Sequence, residues 1–154
     1  MRIRTFQPED AVALSALFYR SVTHLGRRAY SAAQVAAWAA RTPTPGRMHQ
    51  LGRDGRLVLV AVVGQRIVAY GDLEQRGHID HLYAAPEVAG KGLTSHLYDC
   101  LEKAAREQGI DQLFTEASEL AKPFFTRKGF TLQKRRDFEI MGVAIHNYSM
   151  IKQL

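Results

Sequence analysis

The 154-residue chain has the size of one domain, 1–154, and its 46% hydrophobic and 23% charged content excludes a disordered or fibrous protein. Its longest apolar stretch, Leu57 to Val63, is far too short to cross a bilayer, and one cysteine, Cys100, cannot close an internal disulfide. The net charge of +6 is uneven: residues 1–77 hold 11 arginines against 5 acids, whereas residues 78–154 hold 10 basic and 10 acidic residues.

In chain order, Arg2 to Phe6 alternates and predicts a strand. Glu9 and Asp10 open a helix whose Leu14, Leu17, Phe18, Val22 and Leu25 recur on one face. Ser31 and Gln34 stand at capping-box spacing and start a second, short helix carrying Val35 and Trp38, which must end before Pro43. Arg41-Thr42-Pro43-Thr44-Pro45-Gly46 predicts a loop, too short to separate a pair of domains. Leu57 to Val63 and Ile67 to Leu73 flank Gly64-Gln65 and predict a hairpin, with His78 to Ala84 a third strand after a break at Gly77. From Lys91 to Gln108 the period is helical, with Leu93, Leu97, Leu101, Ala104 and Ala105 on one face and Gly109 closing it. Leu113 to Glu116 predicts a strand and Pro123 to Lys128 a helix ending at Gly129. Phe130 to Ile140 and Val143 to Lys152 predict two strands turning at Met141-Gly142. The mixture predicts an α/β protein built on a mixed sheet.

The segment His78 to Thr94, HIDHLYAAPEVAGKGLT, carries the chemistry. A strand ends at Ala84-Ala85-Pro86, and a loop with Gly90 and Gly92 leads straight into a helix. The first amides of a helix lack intrahelical partners and stand at the positive end of its dipole. Glycines let the backbone approach an anion, Lys91 adds a charge and Thr94 a hydroxyl, which together make a pyrophosphate cradle or, more plainly, a tight turn. The P-loop pattern is absent, and the dinucleotide-binding pattern lacks its third glycine.

Glu87-Val88-Ala89-Gly90-Lys91-Gly92 resembles the [Q/R]-x-x-G-x-[G/A] loop of the GCN5-related N-acetyltransferase (GNAT) superfamily. A second stretch, Ser118, Ala121, Phe124, Phe125, Gly129 and Phe130, is similar to that superfamily's N-x-x-A-x-x-F-Y-x-x-x-G-F pattern, and the element order fits along nearly the whole chain. The tail, with Gly142, Val143, Ile145, Asn147, Tyr148 and Met150, is similar to a branch of small bacterial acetyltransferases. The resemblance implies an acyl-CoA N-acyltransferase fold, a mixed central sheet of about seven strands flanked by about four helices. It implies direct transfer of an acetyl group from acetyl-CoA to a primary amine of a small molecule or peptide. Val88, Ala89, Gly90, Lys91, Gly92, Leu93 and Thr94 would hold the pyrophosphate. Main-chain groups of Leu82, Tyr83 and Ala84 would pair with pantetheine, one amide meeting the developing oxyanion. Ser118, Phe124, Phe125 and Lys128 complete the expected cofactor contacts. Three of these have a plainer alternative: Ser118 caps a turn, Phe124 packs the core and Lys128 complements a helix end, while Phe125 would line the thiol end of the cleft.

The proton taken from the substrate ammonium needs a base, and Asp80, His78, His81 and Ser118 are the candidate catalytic residues. On a regular strand His78 and Asp80 would share one face, Ile79 and His81 the other. Asp80 is the favoured base or water-holder, His78 and His81 its rivals, and a purely structural hydrogen-bonded pair the alternative. Two departures bear on activity. Glu87 puts a carboxylate where the pattern has Gln or Arg, which repels a pyrophosphate unless it points to solvent. Phe125 stands where many relatives carry the tyrosine that protonates the leaving thiolate, so an acyl-CoA-binding protein without catalysis is the alternative reading. Tyr148 either supplies that proton or packs the last strand.

The first two helices and the stretch from Arg41 to Asp54 would wall the acceptor side, offering Tyr30, Trp38, Arg47 and His49. Histidine and cysteine do not cluster at zinc spacing, so no metal is expected. The arginines are dispersed, with Arg27-Arg28 the densest pair and no aromatic interleaving, so no nucleic acid is expected. The opening MRIRTFQPED has no apolar signal core, and the expected setting is cytoplasmic, without membrane, with room for a homodimer.

Overall fold

The computed structural model describes residues 1–154. Along the chain lie β1 (Arg2–Thr5), α1 (Ala11–Leu25), α2 (Ala32–Ala39), α3 (Pro45–Leu51), β2 (Leu57–Val63), β3 (Arg66–Leu73), β4 (Leu82–Ala84), α4 (Leu93–Glu107), β5 (Gln112–Ala117), α5 (Lys122–Arg127), β6 (Thr131–Ile140) and β7 (Val143–Gln153). This is the mixed α/β architecture expected, with seven strands. None of the helices is long and apolar enough to cross a membrane.

Two elements differ from the sequence expectation. Helix α3 replaces the predicted loop: the Thr44 hydroxyl accepts from the Arg47 amide at 3.1 Å, and Pro45 sits in the first turn. Both are helix-start signals. Its Met48 and Leu51 bury against Leu14, Val58 and Val60. The strand expected over His78 to Ala84 shrinks to Leu82–Ala84. The cause is Asp72, whose carboxylate accepts the amides of Asp80 at 2.9 Å and His81 at 2.8 Å and so bends the chain out of strand geometry. His78 and Asp80 therefore do not share a strand face: His78 is buried and Asp80 exposed.

The strands form two antiparallel sheets, β1-β2-β3-β4 and β5-β7-β6. They meet at a single parallel bridge between His78 and Phe114. There the Ile79 amide donates to the Phe114 carbonyl at 2.9 Å, and the Phe114 amide to the Gly77 carbonyl at 3.1 Å. Past this bridge β4 and β5 diverge, and a gap opens between the sheets.

Helix α4 covers one side of both sheets. Leu97, Tyr98, Leu101 and Ala105 are fully buried against Ile79, Leu113 and Met150. Each buried leucine contributes roughly 1.5–3 kcal/mol. On the other side α1 packs Leu14 and Leu17 on Val58, Val60 and Tyr70, and α2 joins Val35 and Ala37 to Phe18, Ile140 and Ile145. Ser31 and Gln34 close α2 with the expected capping box, at 3.2 and 2.9 Å.

Candidate active site

Ladder alternation fixes what β4 offers the gap. The Asp72 amide donates to the His81 carbonyl at 3.0 Å, and the Ala85 amide to the Val68 carbonyl at 2.8 Å. Tyr83 pairs with Tyr70 between them, so the main-chain groups of Leu82 and Ala84 point away from β3, into the opening.

The loop after β4 ends beside that edge. Gly90 and Gly92 have φ of +75° and +79°, a conformation that L side chains rarely adopt. A Cβ at either would project into open space, so the glycines leave a hollow rather than fill a packed corner. The first α4 bond runs from the His96 amide to the Gly92 carbonyl, and no side chain caps the helix. The amides of Leu93, Thr94 and Ser95 are left free at the positive end of a 15-residue helix. Lys91 is exposed on the same loop, and Val88 and Ala89 line its start.

Glu87 does not face this hollow unopposed. Arg20 reaches it at 2.8 Å and Arg66 at 3.1 Å. The Glu87 carboxyl sits below the usual range, through its own backbone amide and these arginines. Glu87→Gln would leave both guanidinium groups free near the loop. Acetyl-CoA should then bind roughly two- to threefold tighter at low salt, an effect of exposed charges, and weaker binding would contradict this arrangement.

A sequence model of the acetyltransferase (GNAT) domain matches residues 27–152. The chain belongs to the GNAT acetyltransferases. Transfer of an acetyl group from acetyl-CoA is general to this family. The GNAT chain is 33% identical over 150 residues to the uncharacterized N-acetyltransferase YafP of Escherichia coli K12, covering 97% of this chain and 94% of that one. A GCN5-related N-acetyltransferase of Rhodopseudomonas palustris superposes with a TM-score of 0.91 at 32% identity, over 99% of this chain and 95% of that one. The PaiA N-acetyltransferase of Thermoplasma acidophilum, solved with coenzyme A, shares the fold with a TM-score of 0.79 at 18% identity, over 99% and 98% of the two chains.

This GNAT domain divides the expected catalytic residues: Asp80 and His81 share one cluster around Asp72 and Arg56, with His81 Nδ1 3.5 Å from Asp80, while His78 sits between two other carboxylates. Asp80 binds Arg56 at 3.1 Å. The Arg56 side chain is buried, 6% exposed, and also pairs with Asp54, Asp72 and Glu74. His81 is buried, with Nδ1 2.7 Å from Asp72 and its ring among Phe18, Tyr70 and Tyr83. His78 lies between Glu74, at Nδ1, and Glu116, whose two oxygens stand 3.0 and 3.1 Å from Nε2. Burial opposes its charge, but the two carboxylates outweigh burial and lift its pKa above the ordinary histidine value. With an acceptor-only carboxylate at each nitrogen, His78 donates from both and keeps no lone pair free to act as base.

Ser118 takes the capping role: its Oγ accepts from the Ala121 amide at 3.1 Å. Of the two phenylalanines, it is Phe125 and not Phe124 that packs deepest in the core. Phe125 is 3% exposed and packs on Tyr98, Phe124 and Phe130 in the core, while Phe124 keeps an open face under Lys128. The Lys128 ammonium is 2.5 Å from Asp99. Tyr83 is half-buried, packed against Phe18 and Tyr70, and the desolvation of its phenol pushes that group's pKa upward.

Sequence reasoning missed Arg56, Asp72, Glu74 and Glu116, and with them a cluster at the end of β5. There Glu119 accepts from Tyr148 at 2.7 Å and pairs with His146 at 2.5 Å, while its amide donates to the Tyr30 hydroxyl at 2.8 Å. One signal was present: Asp72 is an acid inside an apolar strand, and a buried carboxylate demands a partner.

Proposed function

We propose that the protein transfers an acetyl group from acetyl-CoA to a primary amine of a small molecule or peptide, in one ternary complex. The observation that carries this reading is the juxtaposition of two unfilled backbone surfaces, the Leu82–Ala84 edge and the uncapped N-terminus of α4. Acetyl-CoA, when bound, supplies an activated thioester that a neutral amine attacks. Gly90, Gly92 and the amides of Leu93, Thr94 and Ser95 hold its pyrophosphate. The inward main-chain groups of Leu82 and Ala84 hold the pantetheine arm as an added strand, and one amide donates to the thioester oxygen as negative charge builds there. Holding both reactants in one gap contributes on the order of several kcal/mol to the rate. A cytoplasmic setting, which a single unpaired cysteine suits, belongs to this reading.

Calorimetric titration of acetyl-CoA into the purified protein tests it. Saturable binding is expected, with adenosine diphosphate roughly tenfold weaker or more, because it lacks the arm that pairs with β4. Equal affinities would remove the β4 edge from the site, and no binding at high micromolar cofactor would sink the reading. Phe125 favours one second reading, a protein that binds acyl-CoA without turnover, since no hydroxyl stands at that position. Saturable binding without amine-dependent thiol release across a panel of amines would decide for it.

A further inference from the structure

The GNAT reading leaves open which group takes the acceptor's proton, and the gap between the sheets narrows that choice. The bridge pairs His78 with Phe114 in parallel register. Glu116 follows two residues after Phe114 on β5, on the same side of the strand, and its carboxylate stands 3.0 Å from His78 Nε2. Glu116 is thus the first residue of β5 past the bridge on the face that carries Phe114. Thr115 and Ala117 are buried on the α4 side, so Glu116 projects to the opposite face. Helix α4 and its core close the first face, so an acceptor reaches the gap from the side of Glu116.

The other ionisable groups on that side are engaged elsewhere. His78 faces an acceptor-only carboxylate at each ring nitrogen, Glu74 at Nδ1 and Glu116 at Nε2, and donates to both. His81 is buried on Asp72. Asp80 belongs to the Arg56 network and rests on its guanidinium. Glu119 is tied to His146 and Tyr148. Glu116 is bound by the imidazolium alone and keeps a side-chain exposure of 35%. Facing it are His78 with Glu74 behind it, Arg76 from the turn after β3, and Arg136 from β6. This surrounding positive charge, led by the His78 hydrogen bond, holds the Glu116 carboxyl below its ordinary pKa.

We propose that Glu116 accepts the proton of the acceptor ammonium and that His78, fixed by Glu74, is the positioning residue that aims its carboxylate into the gap. In the step, the ammonium gives one proton to a Glu116 oxygen and becomes a neutral amine. The C–N bond forms and the C–S bond breaks. A second proton leaves nitrogen for the departing sulfur, the third stays on the amide, and Glu116 returns its own to solvent. One proton is released per turnover, as an ammonium and a thioester becoming an amide and a thiol require.

The test measures thiol release from saturating acetyl-CoA with glycinamide as the probe amine, in the wild type, Glu116→Gln and Asp80→Asn. Glu116→Gln should lower kcat/KM for the amine about 100-fold. Its affinity for acetyl-CoA should stay within about twofold by calorimetry. Wild-type activity should persist to below the ordinary histidine range and then fall, and the variant should lose that acidic limb. His78→Gln should show a smaller loss, with the limb moved toward the ordinary carboxylate range. An unchanged rate in Glu116→Gln, or the loss appearing in Asp80→Asn instead, overturns the assignment. Absence of acetyl-CoA binding by the wild type fails the acetyltransfer reading itself and is separate from either result. Should glycinamide turn over too slowly, the His78 imidazole resonances serve in its place. They should move on glycinamide addition in the wild type and not in Glu116→Gln, and identical behaviour in the two overturns the proposal.

Discussion

Asp72→Asn should destabilise the fold by about 3–5 kcal/mol, the scale for breaking a buried ion pair from one side. Asp72 is 1% exposed and holds four things at once: the amides of Asp80 and His81, the His81 imidazole and the Arg56 guanidinium. An asparagine keeps the shape but removes the charge, leaving two buried cations short of a partner. Urea unfolding at neutral pH reads the loss, and a change under about 1 kcal/mol would show that Arg56 redistributes to its other carboxylates. The pH dependence has two sides. Burial works against the Asp72 carboxylate, but His81 and Arg56 hold it below its ordinary 3.8. Its stabilisation is therefore present above that value and lost as pH falls through the lower folded one. Burial likewise works against the His81 imidazolium, but Asp72 and Asp80 lift it above 6.5. Its stabilisation is complete below 6.5 and fades as pH rises through the raised folded value. The wild type should be most stable between these limits, and Asp72→Asn should lose much of the decline on the alkaline side.

Gly92→Val should weaken acetyl-CoA binding at least 100-fold, or about 2.7 kcal/mol, while the fold survives. The residue sits at φ +79°, and its added carbons would occupy the hollow at the start of α4. Backbone strain alone costs on the order of 1–3 kcal/mol for such a residue and must be separated from lost binding. Gly109 provides the control: its φ is +74°, and it too has open space around it, at the far end of α4. Gly109→Val should show a similar fall in melting temperature with unaltered binding. Similar affinity in both variants would take the glycine loop out of the site.

Local signals carried most of the fold. The β-branched run before Gly64 and the pattern after it mark a hairpin, and Ser31 with Gln34 marks a helix start, because each depends on neighbours a few residues away. The glycine loop was legible for the same reason. Helix α3 was overlooked although Thr44 and Pro45 announce it, since Pro43, Pro45 and Gly46 within four positions outweighed a seven-residue helix. The start of β4 was illegible because a residue outside the segment sets it: Asp72 reaches eight and nine positions along the chain to capture two amides. Spacing could rank His78, Asp80 and His81 as candidates but could not tell that all three are ion-paired. Their partners Arg56 and Glu116 stand 24 and 38 positions away from Asp80 and His78.

The exposed edge of β4 has a cost outside catalysis. Unpaired strand edges invite other chains to add on, and that is a common start of aggregation. Here the invitation is kept to three residues: Pro86 follows within two positions, and the bend at Asp80 stops the strand on the other side. A ligand lying along that edge would also act as a guard, so the protein should be more prone to self-association when its coenzyme is scarce.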